Sequence, residues 1–412
     1  MMSKGRLILG VMVLFALALT ARQTYAQAYG VELRANLMPA SGGMGGTGIA
    51  RPQDVTTSFA LNTATLAQHK GTKFSFSGAW VEPTINIDNQ ATAGPIGVYQ
   101  QKSKRPGSIV GNIAATQDYS ALGLPVTAGV GLVTASGLGV NYRASPASNG
   151  TSAELVVLHT QGGLGVQLTD NLALGAGLAV STATMDGVFS GMSAATPNYN
   201  LRGNLGFTYD VREETTIGGF WLSEEKHTFD DFVQFGNGPF QDLSISLPTT
   251  WGLGVADESL CCGKLLIGLD VLYLRWSDTD FFSGLWDDQV AVSTGVQYTT
   301  DRGIRLRAGY AYAENASRNN AVGAIGGIDP QAGVDYIRAL FPNINKNRIS
   351  AGVGLTDLLP GVDLDLFAGG QFNESQAFGS TVAAIESYWV GFGVTWRFRR
   401  GACGHRCIPD QW

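Results

Sequence analysis

From Lys73 almost to its C-terminus, the chain alternates apolar residues with polar or small ones at a period of two. Such alternation is typical of β-strands whose two faces meet different surroundings. Ile304, Leu306 and Tyr310 share one face of such a segment, and Arg305 and Arg307 share the other. The segments run for about 10–15 residues, enough to cross a bilayer with tilt. The pattern therefore favours long antiparallel strands with one apolar face.

The composition supports a sheet that faces lipid. Glycine accounts for 55 of the 412 residues, roughly twice the usual fraction, and charged residues for only 15%. A net charge of −6 leaves no basic surface for nucleic acid. After the N-terminal segment, no apolar run reaches the length of about 18 residues that a transmembrane helix needs. We expect strands, rather than helices, to cross the membrane.

We predict about 14 strands, an even number, as in single-chain bacterial barrels. The predicted ranges are 72–82, 108–116, 124–134, 153–168, 171–184, 198–210, 213–226, 242–256, 263–276, 287–299, 303–314, 346–357, 361–373 and 385–398. Connections after even-numbered strands are short, as at Thr169-Asp170, and those after odd-numbered strands are long. Short periplasmic turns and long extracellular loops are typical of outer-membrane barrels. The sequence thus predicts an all-β, transmembrane antiparallel β-barrel in a Gram-negative outer membrane, with both termini periplasmic.

The two ends of the chain add targeting signals. Lys4 and Arg6 precede a short apolar run and a small-residue cleavage pattern near Ala26, which together indicate a signal peptide. The apolar row of the last predicted strand ends on Phe398 and is similar to the C-terminal signal of barrel assembly. We expect the assembly machinery, outer-membrane lipid and lipopolysaccharide as partners, and a monomer. The predicted divisions are 1–26 signal peptide, 27–70 hatch, 71–398 barrel and 399–412 periplasmic extension.

The segment before the first strand has no period-two pattern and is rich in glycine. It contains Gly45, Gly46, Gly48, Asp54, Asn62 and Ala64. This arrangement resembles the N-terminal hatch of the FadL/TodX family, where a glycine-rich run and an Asp precede Asn-Pro-Ala. Thr63 stands where the family has proline.

Later segments extend the resemblance. Glu224-Glu225-Lys226-His227, Leu247-Pro248 before Trp251, and Arg275-Trp276-Ser277 are similar to family strand ends. The resemblance implies a 14-stranded barrel plugged by its hatch. It also implies passive diffusion of long-chain fatty acids or hydrocarbons, with lateral release at a kinked third strand. Here that strand contains Pro125, Gly129 and Gly131, which fit either an opening or close packing on the hatch.

Nothing in the sequence indicates a cofactor or a catalytic site. Gly43-x-Gly45-x-x-Gly48 matches a dinucleotide fingerprint only formally, because no strand precedes it and no helix follows it in a βαβ unit. The four histidines form no HExxH motif, and no Gly-x-Ser-x-Gly elbow stands out. A Ser–His hydrolase stays open as an alternative, because triad members lie far apart in sequence. We expect a protein that is not an enzyme.

Two sets of residues are candidates for substrate contact. The first is the set of loop aromatics Phe229, Phe232, Phe235, Phe240, Phe281, Phe282 and Trp286. They would form a capture groove, or pack on one another. The second is a pair of arginines, Arg305 and Arg307, which would bind a carboxylate or join Asp270, Asp363 and Asp365 in a network that holds the hatch.

Four cysteines form two pairs near the predicted periplasmic end: Cys261 with Cys262, and Cys403 with Cys407. The periplasm is oxidising, so we expect disulfides. Either Cys403 pairs with Cys407, or the tail is linked to the 261–262 turn. Metal binding through Cys403, His405 and Cys407 is a weaker alternative, since the spacing matches no standard zinc motif.

Transport of hydrophobic small molecules is the function that these features favour. A general aqueous porin and a structural or surface-interaction barrel are the alternatives. A plug of about 40 residues and the low charge content argue against the porin. The sequence leaves fatty acids, monoaromatics and alkanes open as substrates.

Overall fold

The computed structural model describes residues 30–187, 196–233, 239–318 and 331–400, with the backbone of 406–407. The predicted signal peptide, 1–26, lies outside these residues, as does most of the predicted extension, 399–412. Of the described residues, 63% lie in strands. Within the described ranges, no helix is long and apolar enough to span a bilayer.

Fourteen strands close into one antiparallel barrel. They are β1 (Thr72–Asn89), β3 (Ser108–Asp118), β4 (Val126–Asn141), β5 (Ser152–Gln167), β6 (Leu172–Gly187), β7 (Thr196–Arg212), β8 (Thr215–Leu222), β11 (Thr249–Leu260), β12 (Leu265–Arg275), β13 (Gln289–Thr299), β14 (Ile304–Ala313), β15 (Asn347–Leu359), β16 (Val362–Phe378) and β17 (Thr381–Arg400). Strand β17 pairs with β1 from Thr72↔Phe398 to Asn89↔Thr381, which closes the cylinder. Closure removes the free edges that lipid cannot hydrogen-bond. The predicted all-β barrel is confirmed.

The described chain also has four shorter strands: β2 (Tyr99–Lys102), β9 (Glu225–Val233), β10 (Gln241–Leu247) and β18 (Arg406–Cys407). Strands β9 and β10 form a hairpin separate from the barrel. The predicted wall strands 213–226 and 242–256 are wrong at the ends that meet this hairpin. The wall strand β8 ends at Leu222, and the next wall strand, β11, begins only at Thr249. Pro248 separates β10 from β11, because proline has no N–H for a strand ladder.

The connections follow the predicted alternation of short turns and long loops. We call the end with the long connections the outer end. The connection between β14 and β15 contains helix α2 (Gln331–Leu340), which the sequence-based prediction missed. Short 3-10 helices lie at Ser120–Leu122, Pro146–Ser148, Cys261–Gly263, Trp276–Asp278 and Phe282–Gly284.

Side chains along the wall alternate between an exposed apolar face and a buried face. On β17, Tyr388, Val390 and Phe392 are exposed, whereas Trp389 is buried. Tyr310 and Tyr312 of β14 are exposed in the same way. An outward row of large apolar side chains is what a lipid-facing wall requires.

The hatch, residues 30–71, runs inside the barrel. It forms 3-10 helices at Val31–Leu37, Ser41–Met44 and Thr63–Gln68, and one α-helix, α1 (Val55–Ala60). The Ser41–Met44 helix contacts the β13–β16 side of the wall, and the Thr63–Gln68 helix contacts the β4–β7 side. The hatch therefore spans the lumen from one side to the other.

Two aspartates satisfy the buried backbone of the hatch. Asp54 caps α1 by accepting from the Thr57 N–H at 2.8 Å, and its second oxygen accepts from the Ala40 N–H at 3.1 Å. Asp270 on β12 accepts from the N–H groups of Gly48 and Ile49 at 2.7 and 3.0 Å. Because unpaired buried amides are costly, these bonds fix the course of the hatch.

Glycines on the inner wall make room for the hatch. A Cβ at Gly309 would overlap the backbone at Gly45, and one at Gly175 would overlap the backbone of Ala64. A Cβ at Gly218 would lie 2.7 Å from the carbonyl oxygen of Ile49. Part of the high glycine content is therefore a requirement of close packing between two backbones.

We predict that replacing Gly175 by Val displaces the hatch, because the new side chain would occupy the space of Ala64. Overpacking of this kind costs about 1–3 kcal/mol. We expect the hatch to move rather than the wall, because the wall strands are hydrogen-bonded around a closed cylinder. In planar lipid bilayers, the purified Gly175→Val protein should conduct ions, and the wild type should stay closed.

Gly162→Val on the neighbouring strand is the matched control. Gly162 is exposed, and a Cβ there meets no atom within 4 Å. This variant should stay closed like the wild type. Equal conductance of the two variants would contradict the packing argument.

Candidate functional site

Aromatic side chains of the long connections form one apolar cluster at the outer end of the lumen. Four of the predicted candidates are buried in it: Phe229, Phe232, Phe282 and Trp286. Phe281 is partly buried and packs against the cluster, while Phe240 is exposed. Phe235 lies outside the described residues. The buried candidates thus pack inward rather than line an open outer surface.

A stack of three rings stands at the centre of this cluster. Phe282 lies parallel to Trp286 with ring centroids 4.3 Å apart, and Trp276 meets Trp286 edge-on at 4.5 Å. The indole N–H of Trp286 donates to the carbonyl oxygen of Phe341 at 3.2 Å. That of Trp276 donates to Oε1 of Gln289 at 3.4 Å. Both indoles therefore satisfy their polar edges and leave their ring surfaces for apolar contact.

A small cavity adjoins the stack. Its apolar lining consists of Val31, Leu247, Trp276, Phe282, Trp286 and Pro342. Ser136, Asn343 and Asn345 are its polar side chains, and none of its lining residues is charged. An apolar cavity with a few polar groups is the usual form of a small-molecule site. Of the candidates predicted from sequence, only Phe282 and Trp286 line it.

The outer side of the cluster is covered by α2. Tyr336 of this helix shares a hydrogen bond of 2.5 Å between hydroxyl groups with Tyr99, whose ring also packs on Tyr142. Val334, Ile337 and Leu340 are buried beneath the helix. Their spacing of three residues is the helical signal that could have revealed α2 within the predicted 315–345 loop.

A buried charge cluster joins β9 to the wall, and Arg34 of the hatch interacts with it electrostatically. Glu225 of β9 accepts from Nε2 of His159 at 2.9 Å and lies 3.6 Å from Nη1 of Arg202. Burial alone would raise the pKa of Glu225, but the charges of His159 and Arg202 lower it to about 2. Burial lowers the pKa of Arg34 in the hatch to about 9, with a further contribution from Arg202. Arg34 and Glu225 are therefore both charged at neutral pH.

Two buried Ser–His contacts bear on the hydrolase alternative. The Ser58 hydroxyl lies 2.8 Å from Nε2 of His69 in the hatch region. The Ser181 hydroxyl lies 3.1 Å from Nε2 of His227, whose Nδ1 lies 3.1 Å from Oδ1 of Asn198. Neither serine lines the cavity. Both are fully buried, which is the arrangement of a structural polar contact.

The predicted luminal charges lie deeper than the cavity and contact the hatch or the wall. Arg307 pairs with Asp365 at 2.5 Å and donates to Gln297 at 2.7 Å, and Gln297 donates in turn to Gln53 of the hatch at 2.9 Å. Arg305 is partly buried and does not line the cavity either. The geometry places both arginines away from the apolar site.

Strand β4 leaves the wall partway along its length. Strands β3 and β4 pair only from Ile113↔Leu132 to Asp118↔Thr127, although β4 continues to Asn141. One extra residue, Ala135, interrupts the pairing of β4 with β5. Residues 133–137 are all buried, so this part of β4 runs inside the lumen. An unpaired stretch of wall results between the outer parts of β3 and β4.

This break lies beyond the glycines that pointed to it in the sequence. Gly129 and Gly131 pair regularly with β3, and a Cβ on either would press on the ring of Phe59 in the hatch. They therefore serve close packing. The departure of β4 begins only after Leu132. There the side chain of Asn112 replaces the ladder, because its Oδ1 accepts from the Thr134 N–H at 3.0 Å and its Nδ2 donates to the Ser77 hydroxyl at 3.2 Å.

Cys261 and Cys262 lie exposed in the turn between β11 and β12, and neither forms a disulfide with another residue that the structure describes. Cys403 and the side chain of Cys407 lie outside the described residues, so the predicted pairings with the tail stay predictions. In the part of the chain that the structure describes, no group of His, Cys, Asp and Glu side chains could hold a metal ion.

Comparison with solved structures shows where this fold occurs. The Pseudomonas putida toluene transporter TodX superposes with a TM-score of 0.64 at 17% identity, over 91% of this chain and 100% of that one. The Ralstonia pickettii toluene transporter TbuX gives 0.61 at 18%, over 88% and 98%. A Pseudomonas aeruginosa FadL homologue gives 0.63 at 14%, over 88% and 98%. At these identities the likeness shows a shared fold.

Sequence comparison gives the family. No curated protein sequence matches this chain. The family model described as outer membrane protein transport protein (OMPP1/FadL/TodX) matches residues 17–325, which is more than half of the chain. The chain therefore belongs to the OMPP1/FadL/TodX family of outer-membrane transport proteins.

Proposed function

We propose that this protein carries small hydrophobic molecules across the outer membrane of a Gram-negative bacterium by passive diffusion. The observation that carries the proposal is the uncharged aromatic cavity at the outer end of a lumen filled by the hatch. Lipopolysaccharide presents a polar barrier to hydrophobic solutes. A protected apolar site within the barrel offers such a solute a way past it.

Apolar burial supplies the binding energy in this proposal, at about 25 cal/mol per Å² of apolar surface removed from water. Trp276, Phe282 and Trp286 offer flat ring surfaces, and Val31 and Leu247 complete the lining. A carboxylate would find no cation among these residues, because Arg307 is paired with Asp365 and Arg305 does not line the cavity. Uncharged hydrocarbons suit the cavity better than fatty acids do.

The exit route is sideways through the wall. Ser136 lines the cavity and also belongs to the part of β4 that leaves the wall. A ligand in the cavity is therefore next to the unpaired stretch between β3 and β4. Release there leads into the membrane without displacing the hatch, whose backbone is bonded to Asp54 and Asp270.

A water-filled porin would need an open lumen, whereas the hatch contacts opposite sides of the wall. Transport of this kind has no catalytic step, and the buried Ser–His contacts do not line the cavity. In this proposal the protein is a monomer with a cleaved signal peptide, inserted by the barrel assembly machinery and bordered by lipopolysaccharide. The exposed apolar wall that ends at the C-terminal strand supports this setting.

We predict that Phe282→Ala slows uptake of radiolabelled toluene at least severalfold, because it removes the ring stacked on Trp286. The measurement uses cells of a host strain that lacks its own transporter of this kind and expresses this chain. Phe372→Ala is the control, since Phe372 is an exposed aromatic outside the cavity. Uptake that is unchanged by Phe282→Ala would contradict the role of the cavity.

We also predict that deleting Ala135 blocks uptake. The deletion removes the extra residue, so β4 can continue its ladder past Leu132 and close the wall. Toluene uptake should fall to the level of cells without the protein, while binding by the purified protein persists.

Deleting Asn373 is the matched control, because it removes a residue from the irregularity between Gln371 and Glu374, which does not border the β3–β4 opening. This deletion should leave uptake unchanged. Normal uptake after deletion of Ala135 would rule out lateral release at β4.

A further inference from the structure

The opening between β3 and β4 begins where the ladder of backbone hydrogen bonds stops. Near the start of this strand pair, the Tyr119 N–H donates to the Val126 carbonyl oxygen at 2.9 Å. Hydrogen-bonded pairs recur at every second residue of an antiparallel ladder. In the register of β3 with β4, the first such pair beyond the end of the ladder would be Gly111 with Thr134. A continuous wall would therefore join the Thr134 N–H to the Gly111 carbonyl.

Two side chains take the place of this backbone bond. The Thr134 N–H donates to Oδ1 of Asn112 at 3.0 Å, and the Thr134 hydroxyl donates to the Gly111 carbonyl oxygen at 3.1 Å. Each backbone group thus has a partner although the two strands are no longer paired. A backbone group without a partner is costly at membrane depth. These side-chain bonds let β4 leave the wall without that cost.

The Asn112 side chain is held from both of its ends. A backbone N–H can only donate, so Oδ1 rather than Nδ2 must face Thr134. Nδ2 then donates to the Ser77 hydroxyl of β1 at 3.2 Å. Both Asn112 and Ser77 are fully buried. Asn112 therefore bridges β1 and β4 from its place on β3.

A second set of bonds closes the opposite end of the opening. The Asn141 N–H donates to the Ser103 hydroxyl at 3.0 Å, and the Asn141 carbonyl accepts from the Lys104 N–H at 2.8 Å. The Ser103 N–H donates in turn to the Ile85 carbonyl of β1 at 2.8 Å. The segment after β2 thus ties the outer end of β4 to β1. Residues 135–140 of β4 lie between these two bonded ends.

We propose that Asn112 and Thr134 are positioning residues for transport, which hold the side opening at a fixed size. This inference rests on the proposed function, because it concerns the route by which the solute leaves. Both ends of the opening are bonded, and the inner end is bonded through side chains. The opening is then a constant feature of the wall rather than a gate that must unzip for each solute.

Loss of these side-chain bonds should let the two strands rejoin. Without Oδ1 of Asn112, the Thr134 N–H regains the Gly111 carbonyl as its partner in the ladder register. One further hydrogen-bonded pair would draw β4 back toward the wall. Neither Asn112 nor Thr134 lines the cavity. Release should therefore slow while binding persists.

Uptake of radiolabelled toluene by cells that express the full chain tests this. Asn112→Val should lower the maximal uptake rate about fivefold and leave the half-saturating concentration within about twofold, because one net hydrogen bond shifts the balance between open and paired strands. Asn112→Asp should restore the rate, since a carboxylate accepts both from the Thr134 N–H and from the Ser77 hydroxyl. A general loss of structure would slow both variants.

Thr134 offers a second, independent pair of variants. Thr134→Val keeps the shape but frees the Gly111 carbonyl, so it should slow uptake in the same way. Thr134→Ser keeps the hydroxyl and should retain the wild-type rate. Thr116→Val is the control, because Thr116 is buried on β3 where the ladder with β4 is intact. If Asn112→Val does not fold, the two Thr134 variants decide.

The inference and the proposed function can fail separately. If the wild type carries toluene and both valine variants, Asn112→Val and Thr134→Val, transport it at the same rate, the positioning role is refuted and the proposed function stands. The same holds if Asn112→Asp and Thr134→Ser are as slow as the valine variants. If wild-type cells take up no more toluene than cells without the protein, both the inference and the proposed function are refuted.

Discussion

The fit between the hatch and the inner wall of the barrel is the constraint on which the rest of the structure depends. A backbone buried in a closed cylinder needs room and hydrogen-bond partners. Glycines such as Gly175 and Gly309 provide the room, and Asp270 provides acceptors for Gly48 and Ile49. Because both are built into the wall, the hatch holds a fixed place and closes the direct path through the lumen.

Because the hatch closes the lumen, the residues that would bind and release a solute lie at the outer end and at the side of the barrel. The long connections bury their aromatic side chains around a cavity rather than projecting them outward. Ser136 connects this cavity to the stretch where β4 leaves the wall. Capture and release then require no movement of the hatch, whose backbone is bonded to Asp54 and Asp270.

Alternation of apolar and polar residues was enough to predict the barrel, since each wall strand has lipid on one side and the hatch on the other. The alternation did not predict two local features, the division of a strand at Pro248 and the helix α2. Pro248 divides one apparent strand into a hairpin strand and a wall strand, and α2 lies within a segment that looked like an uninterrupted loop. The sequence also left open whether Gly129 and Gly131 mark an opening or close packing, and in the structure both pack on Phe59.

The lining of the cavity could not be predicted from sequence. Val31 comes from the hatch, Leu247 from β10, and Trp276 from the 3-10 helix that follows β12. These segments lie far apart in the chain, and no spacing between their residues indicates a shared site. Only the folded arrangement brings them together beside Phe282 and Trp286.

The most direct test of this account is a crystal structure of the full chain with bromobenzene, in which anomalous scattering locates the bromine. The account predicts bromine in the cavity beside Trp276 and Trp286, with the hatch still bonded to Asp270. Bromine in a passage opened through a displaced hatch, or only on the lipid-facing wall, would contradict it.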